Sequence, residues 1–320
     1  MRIPLFVVGY VRSGTTLLRA ILGSHRDIEM LNEPHLLKAL RTAGYEIDGK
    51  ILPEARPALL KAVRPKHLET VPPEQVKRFL DHPGPMSFKE AYEYLLPKPT
   101  GVAVWGEKSP SNVLYMRELH RMYPDALLVY IVRDPRAIML SYYRKKYKDS
   151  LPVLPQLSSV AIRFFASQAM RWAATMKHAS AAVSELPKGT VMQLKYEDLV
   201  TNTEREIRSI CREVGIEFDK DMLDPAKREG EKALQDRTGD THRLLTSPVN
   251  AGRAGSGNEL PDWACMIIKK YAGDQAMELG YELPEVGPAM IARLRVNLEL
   301  AMVENQLRAG VQQQMGRMRV

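Results

Sequence analysis

Near its N-terminus the chain runs Val7-Val8-Gly9-Tyr10-Val11-Arg12-Ser13-Gly14-Thr15-Thr16-Leu17-Leu18. An apolar, β-prone run from Ile3 to Val8 leads into this stretch, and the apolar residues that follow it suit a helix. The stretch therefore predicts a strand, a tight turn and a helix. A helix N-terminus presents unpaired backbone N–H groups, and glycine lets the backbone wrap closely around an anion. We expect a phosphate group to bind at this turn.

The spacing of the two glycines is that of a nucleotide-phosphate loop. Four residues separate Gly9 from Gly14, but Thr15 stands where that motif requires Lys. Arg12 lies inside the loop, two residues before Gly14, and can supply the missing positive charge. An ordinary turn after a strand would also contain glycines, yet the cation and the Thr pair inside this turn favour an anion site.

The composition is that of an ordinary folded protein. The chain has 320 residues, of which 45% are hydrophobic and 26% charged, so disorder is not expected to dominate. Its net charge of +8 suits anionic ligands such as nucleotides, sulfated or phosphorylated compounds, acidic peptides or membrane surfaces. The charge does not select one of these classes.

Cysteine usage and hydropathy point to a reducing compartment. The two cysteines, Cys211 and Cys265, provide neither a disulfide framework nor the spacing of metal ligands. No apolar run approaches the ~20 residues needed to span a bilayer, and no signal-peptide hydrophobic region precedes the loop. A cytoplasmic enzyme without a transmembrane segment is therefore the expectation.

Four further apolar runs are each followed by a helical pattern. The strands predicted from them are 28–31, 101–106, 126–132 and 190–195. Together with the first strand they make five strand-then-helix units, the pattern of a parallel sheet covered by helices. The sequence therefore predicts an α/β fold of the P-loop type, with three layers and a central, mainly parallel five-stranded sheet.

Helices are expected between and after these strands. Ser109 and Pro110 predict the N-cap and first residue of a helix that runs to about Tyr123. A long helical segment is predicted over 155–186, and its aromatic residues are assigned to the core rather than to ligand stacking. Another helix is predicted over 262–279.

Three segments differ from this pattern. Region 43–99 is punctuated by prolines between short helical patterns, so we expect a helical insertion, without strands, over the active edge of a single 1–320 domain. The polar, Gly-rich stretch 227–261 is expected either to close over a ligand or to be a flexible linker. Segment 285–320 contains an amphipathic helix that can pack on the body of the protein or on a partner chain, as in a homodimer.

Charged side chains follow the predicted strands. Arg12, Lys108 and Arg133 are cations at three strand ends, and Glu33 is an acid at a fourth. Because the carboxyl ends of parallel strands line one crevice, the four side chains are expected to converge there. Ion pairing at the surface would explain any one of them alone. Together with the loop they describe a site for a polyanionic nucleotide, a second phosphate and a proton acceptor.

These residues do not exclude a metal-dependent kinase as the function. Phosphoryl transfer is expected to use the loop Lys and an acidic Mg²⁺ partner after an apolar strand. The loop Lys is missing here, but Asp134 follows an apolar strand and could serve as that acid.

Two segments of the sequence resemble those of the sulfotransferases that use 3′-phosphoadenosine 5′-phosphosulfate (PAPS). Residues 8–17 resemble that family's loop for the 5′-phosphosulfate, and the segment from Val132 to Ser141 resembles its 3′-phosphate segment. Because Glu33 follows the loop and Lys108 precedes a helix, the chain is most similar to the branch of tyrosylprotein sulfotransferases and their bacterial relatives. Glu33-Pro34-His35 also resembles the Glu-x-His of heparan-type enzymes.

The resemblance implies an in-line sulfuryl transfer to a hydroxyl acceptor with no required metal. Glu33 would be the general base, with Arg12 and Lys108 as catalytic cations, and His35 would bind substrate or be the alternative base. The implied cofactor-binding residues are Arg12, Ser13, Gly14, Thr15, Thr16, Arg133 and Ser141, with Tyr196 and Arg253 as looser matches. PAP, the 3′,5′-bisphosphate of adenosine, would be the product.

The sequence departs from the family pattern at several positions. Val11 replaces the Pro usual before the loop Arg, and Lys145 stands where the tyrosylprotein enzymes have Arg. The stretch 241–257 lacks a close Gly-x-Trp pattern. Nothing separates a phenol, sugar, lipid alcohol or peptidyl tyrosine as acceptor, and no nucleic-acid partner is expected. Besides the kinase, a non-catalytic nucleotide-binding scaffold whose terminal helix binds a partner remains open.

Overall fold

A five-stranded sheet, in which every strand pair is parallel, forms the centre of the fold. The structure, a computed structural model, describes residues 3–97, 101–147, 157–224 and 254–285. The strands of this sheet are β1 (Ile3–Gly9), β2 (Ile28–Asn32), β5 (Val104–Lys108), β6 (Leu127–Val132) and β7 (Val191–Lys195), in the order β2-β5-β1-β6-β7. The predicted parallel α/β sheet is thus confirmed.

The central strands are buried on both faces. Phe6 and Val7 on β1 and Val129 and Tyr130 on β6 are fully buried, and the two residues of each pair point to opposite faces of the sheet, as the continuous apolar runs of parallel strands require. A side chain on Gly106 of β5 would overlap the carbonyl of Leu5 on β1, so glycine is needed for the two strands to pair.

Strand β5 begins and ends later than the predicted strand 101–106. It continues through Glu107 and Lys108, because Lys108 pairs in register with Val7 of β1 and with Asn32 of β2. Ladder hydrogen bonds use only backbone groups, so two charged residues can extend a central strand. Lys108 is therefore the last residue of a strand and is held from both sides.

The described residues contain twelve α-helices. They are α1 (Thr15–Gly23), α2 (Leu36–Thr42), α3 (Arg56–Ala62), α4 (Pro65–Leu68), α5 (Pro73–Asp81), α6 (Phe88–Tyr94), α7 (Met116–Met122), α8 (Pro135–Tyr147), α9 (Ser159–Glu185), α10 (Tyr196–Thr201), α11 (Thr203–Glu213) and α12 (Asp262–Glu278). Short 3₁₀ turns occur at Pro53–Ala55, Pro110–Leu114, Lys220–Leu223 and Ser256–Glu259.

The described residues divide into two compact units. The first comprises those of Met1–Val132 and His178–Ala254, and the second those of Arg133–Lys177 and Gly255–Val320. The first unit contains the whole five-stranded sheet. The predicted single domain over 1–320 stays a prediction.

The insertion contains strands that the sequence pattern did not predict. Between its short helices, β3 (Lys50–Ile51) pairs antiparallel with β4 (Met86–Ser87). Strands of two residues are too short for the alternation of apolar and polar residues that identifies a strand. The fully buried Arg56 helps to fix the insertion, since its guanidinium donates to the backbone carbonyls of Leu80, His82 and Gly84.

The helix expected from Ser109 to Tyr123 is interrupted. A 3₁₀ turn covers Pro110–Leu114, and α7 begins only at Met116. Tyr115, between them, has a φ of −129°, which is not helical. The Ser109 side chain makes no cap hydrogen bond and is used elsewhere, as described below.

The second unit has an aromatic core. Phe165 of α9 packs against Phe164, Tyr143 and Trp263, with ring centroids 5.2–5.8 Å apart. Trp172 is fully buried. The assignment of these aromatic residues to the core is confirmed.

Several predicted features lie outside the described residues. These are Arg253, residues 227–253 of the Gly-rich stretch 227–261 and, apart from residue 285, the terminal segment 285–320. In the described part of the chain, every helix is too short or too polar to cross a bilayer.

Candidate active site

The β1–α1 loop has the backbone shape of an anion cradle. Gly14 precedes α1 with a φ of 98°, in the left-handed region that favours glycine. A side chain there would also overlap the ring of Tyr196, and one on Gly9 would come within 2.5 Å of the Ile131 carbonyl oxygen. Both positions therefore require glycine. At Gly9 the reason is close packing, and at Gly14 it is close packing together with the left-handed backbone conformation.

The loop presents hydrogen-bond donors to its concave side. Helix α1 has nine residues, and its N-terminus has no side-chain cap, so its first N–H groups are available to a ligand. Ser13 is 1% exposed, and within the described residues its Oγ has no hydrogen-bond partner. A buried hydroxyl without a partner is costly unless a ligand completes it. The chemistry of this donor set fits a phosphate.

Lys108 connects this loop to the end of β2. Its Nζ donates to Thr16 Oγ1 on α1 at 3.2 Å and to Glu33 Oε1 at 2.6 Å. Because β2 and β1 both neighbour β5, the strand end that carries Lys108 lies between the two. The side chain is 1% exposed, and burial lowers the pKa of Lys108 against the opposing attraction of Glu33.

Backbone strain is concentrated at the predicted site. Within the described ranges, the non-glycine residues with positive φ are Arg12, Glu33 and His35, at 71°, 53° and 53°. Such a conformation costs about 1–3 kcal/mol for each residue and persists only where the surroundings enforce it. The sequence analysis names all three as candidate catalytic or binding residues, so the strained backbone positions are also the predicted site residues.

The two carboxylate oxygens of Glu33 face different partners. Oε1 contacts the Lys108 ammonium, while Oε2 lies 3.4 Å from His35 Nε2 and 3.7 Å from a guanidinium nitrogen of Arg64. The hydrogen bond from His35 and the charge of Lys108 together hold the pKa of Glu33 well below its ordinary value, although burial acts in the opposite direction. Glu33 is thus ionised at neutral pH.

His35 and Glu33 are held by the end of β5 and the turn after it. The Glu33 N–H donates to the Lys108 carbonyl at 2.8 Å, and the His35 N–H donates to Ser109 Oγ at 3.1 Å. The His35 Nδ1 pairs with Ser111 Oγ at 2.9 Å. Sequence reasoning assigned Ser109 to a helix cap and gave Ser111 no role, because His35 is more than 70 residues away from both serines in the sequence.

The insertion contributes a cation that sequence reasoning also missed. Arg64, between α3 and α4, is half exposed, and one of its guanidinium nitrogens lies 3.7 Å from Glu33 Oε2. No local signal distinguishes it from the other basic residues of the insertion.

Two further predicted residues, Arg12 and Tyr196, lie in or against the β1–α1 loop. Arg12 is half-buried at the turn, and Val11 beside it is 44% exposed. Tyr196 begins α10 directly after β7 and packs its ring against Gly14. The structure therefore brings together the loop, Thr16, Lys108 and Glu33, with Tyr196 against the loop.

The predicted 3′-phosphate residues belong to the second unit. Arg133 is 8% exposed, and its guanidinium donates to Ser256 Oγ at 3.2 Å. The carboxylate of Asp134 accepts hydrogen bonds from the side chain and backbone N–H of Arg136 at 2.8–3.2 Å. Ser141 lies on α8 and is half-buried.

Comparison with known proteins agrees with this geometry. Residues 4–220 match the model of the sulfotransferase family. A predicted protein-tyrosine sulfotransferase of Caenorhabditis briggsae is 25% identical over 229 residues, which cover 68% of this chain and 68% of that protein. The matched residues contain the loop, Glu33, Lys108 and Arg133.

Solved structures show the same fold. The sulfotransferase domain of the olefin synthase from Synechococcus PCC 7002 superposes with a TM-score of 0.60 at 21% identity, covering 89% of this chain and 96% of that one. A sulfotransferase domain from the curacin biosynthetic pathway gives 0.53 at 19% identity, covering 89% and 100%. Since the family model matches well over half of its length, this chain belongs to the sulfotransferase family.

Proposed function

We propose that this enzyme transfers the sulfuryl group of PAPS to a hydroxyl acceptor, with Glu33 as general base. One observation carries the proposal: Lys108 Nζ contacts both Thr16 of the phosphate loop and Glu33. A cation shared by an anion cradle and a carboxylate suits a reaction in which a proton is removed beside a transferring anionic group.

The β1–α1 loop is assigned the 5′ end of the nucleotide. Bound PAPS supplies the sulfuryl group and a phosphate leaving group. The N–H groups of residues 13–16 and the hydroxyls of Ser13, Thr15 and Thr16 would hold phosphate oxygens, while Arg12 and Lys108 would stabilise charge that develops there. Fixed donors of this kind need no reorganisation during the reaction.

Glu33 would remove the acceptor proton through Oε2. That oxygen has the looser contacts of the two, whereas Oε1 is bound to Lys108. An anionic oxygen that draws the Lys108 ammonium away from Glu33 would raise the pKa of the carboxyl and make it a stronger base. His35, which faces the same oxygen, would orient the carboxylate or bind the acceptor.

The 3′ end of the nucleotide is assigned to Arg133 and Ser141. A charge-assisted hydrogen bond from Arg133 would distinguish PAPS from ATP, which has no 3′-phosphate. Tyr196 and Arg253 are proposed as further nucleotide contacts on the strength of the sequence resemblance alone.

The acceptor is proposed to be a hydroxyl compound, with a peptidyl tyrosine as the first to be tested. The name of the Caenorhabditis briggsae relative supports this choice. Small molecules, carbohydrates and lipid alcohols form the rest of the acceptor panel. A cytoplasmic location is proposed from the two free, buried cysteines.

Three experiments test the proposed function. A thermal-shift assay should show that PAP raises the melting temperature more than ATP with Mg²⁺ does, and labelled PAPS should transfer its sulfuryl group to a member of the acceptor panel. Glu33→Gln should bind PAP as tightly as the wild type while losing roughly 10²–10⁴ in kcat. ATP consumption that requires Mg²⁺ would instead identify a kinase, and PAP binding without any transfer would identify a scaffold.

A further inference from the structure

The carboxyl group of Glu107 is fully buried directly beside Lys108, yet the proposed reaction gives it no role. Its Oε1 accepts from the Tyr92 hydroxyl at 2.8 Å and from the Asn112 amide, and its Oε2 accepts from Ser109 Oγ at 3.2 Å. Burial raises the pKa of Glu107, against the lowering effect of these donors. A buried acid with three donors is expensive to keep, so its retention calls for a reason.

Ser109 carries the effect of Glu107 to the neighbouring turn. Its hydroxyl donates to Glu107 Oε2 and accepts the His35 N–H at 3.1 Å. An amide N–H can only donate, so Ser109 Oγ must accept from His35 and is left to direct its own proton towards Glu107. Glu107 therefore fixes the orientation of the group that holds His35.

The turn that Ser109 holds is the strained one. Glu33 and His35 both have a φ of 53°, and only tertiary contacts can keep non-glycine residues in that conformation. The end of β5 and the turn after it supply three such contacts: the Glu33 N–H donates to the Lys108 carbonyl, the His35 N–H donates to Ser109 Oγ, and the His35 ring pairs with Ser111 Oγ. Of these, the bond that Ser109 Oγ accepts from the His35 N–H is the one whose geometry depends on a buried acid, Glu107.

We propose that Ser109, oriented by Glu107, is a positioning residue that holds the Glu33–His35 turn in the geometry required of the general base. The proposal rests on the proposed function, because it assumes that Glu33 is the base. Neither Ser109 nor Glu107 is proposed to touch the reacting atoms. A carboxylate that is displaced by about 1 Å from its productive position can lose up to about 10²-fold in rate, so a single hydroxyl can matter.

Ser109→Ala is the primary test, and Ser24→Ala is its matched control. Both serines are at most 1% exposed, and the Ser24 hydroxyl donates to the Ala20 carbonyl at 2.8 Å, at the C-terminal end of α1. In hydrogen-exchange mass spectrometry of the free protein, Ser109→Ala should speed exchange of the peptide containing Glu33–His35 by tenfold or more. Ser24→Ala should leave that peptide unchanged.

Kinetics then separate positioning from a merely structural role. Ser109→Ala should lower kcat by roughly 10–100-fold and leave the affinity for PAP within twofold of the wild type. Glu107→Gln should lower kcat as well, because its amide can donate to Ser109 Oγ and compete with His35. The double variant should be no slower than Ser109→Ala alone, since Glu107 acts through Ser109.

The possible outcomes are distinct. An unchanged kcat in folded Ser109→Ala, or an unchanged exchange rate at Glu33–His35, overturns the proposal. A double variant that loses the product of the two single effects overturns the role of Glu107. If the wild type transfers no sulfuryl group to any acceptor, the proposed function fails, and the exchange measurement alone decides whether Ser109 holds the turn.

Discussion

Lys108 Nζ lies 2.6 Å from Glu33 Oε1, and the two residues belong to neighbouring strand ends of the same parallel sheet. The backbone repeats the connection, since the Glu33 N–H donates to the Lys108 carbonyl at 2.8 Å. Base and cation are therefore coupled through two bonds of different kinds. A substitution that removes the ammonium alone leaves the backbone bond in place.

Lys108→Met should reduce kcat by roughly 10²–10³, the loss expected when one fixed stabilising donor is removed. The methionine fills much of the same buried space, so the affinity of the loop for PAP should fall less than kcat. The measurement is steady-state kinetics together with PAP titration. Lys38→Met, on the exposed face of α2, is the control and should change neither value. A Lys108→Met enzyme with normal kcat would remove Lys108 from the mechanism.

The pH dependence of stability should report the state of Glu33. The pKa of this carboxyl is lowered in the folded protein by the His35 hydrogen bond and the Lys108 charge. Its contribution is therefore fully present above the pKa of an unfolded glutamate, about 4.3, and is lost as the pH falls through the lower folded value. Urea unfolding of the wild type and of Glu33→Gln should show a stability advantage of the wild type that shrinks as the pH is lowered from about 5 to about 2. A wild-type advantage that stays unchanged over that range would contradict this assignment.

The parts of the site that the sequence predicted are those encoded locally. Gly9, Gly14 and Arg12 lie within six residues, and Glu33 and Lys108 each follow an apolar run whose end could be predicted. Parallel strands bring such ends together whatever the intervening chain does, so the convergence of Lys108 with Glu33 followed from the fold class.

The parts that it did not predict depend on contacts between distant segments. Arg64 has no distinguishing feature in the sequence, and Ser109 was predicted there only as a helix N-cap. The role of each in the site depends on a partner more than 30 residues away. Positive φ at Glu33 has no local signal, because glutamate does not favour it. The 3₁₀ turn at Pro110–Leu114 replaced a predicted helix when the Ser109 hydroxyl was used for His35 and Glu107 rather than for a cap.

Gly14→Ala should abolish high-affinity PAP binding and destabilise the protein. Alanine at this position would both adopt a φ of 98° and overlap the Tyr196 ring. Gly44→Ala is a matched control, because Gly44 has a φ of 88° but nothing lies within 4 Å of an added side chain. Gly44→Ala should cost about 1 kcal/mol of unfolding free energy and leave PAP affinity unchanged, whereas Gly14→Ala should cost more and weaken PAP by tenfold or more. Equal effects of the two variants on PAP affinity would show that the loop does not bind the nucleotide.

Arg133→Ala should weaken PAP far more than adenosine 5′-phosphate, which lacks the 3′-phosphate. A charge-assisted hydrogen bond contributes about 1.5–3 kcal/mol, so the affinity for PAP should fall by roughly 10–150-fold while that for adenosine 5′-phosphate stays within threefold. Calorimetric titration of both nucleotides measures the ratio directly. Arg171→Ala, an exposed cation on α9 in the same unit, should shift both affinities equally and only slightly. The ratio matters more than either affinity, because a general loss of stability in Arg133→Ala would weaken both nucleotides together. An unchanged ratio would mean that the 3′-phosphate is bound elsewhere and would leave the Glu33 and Lys108 assignments intact.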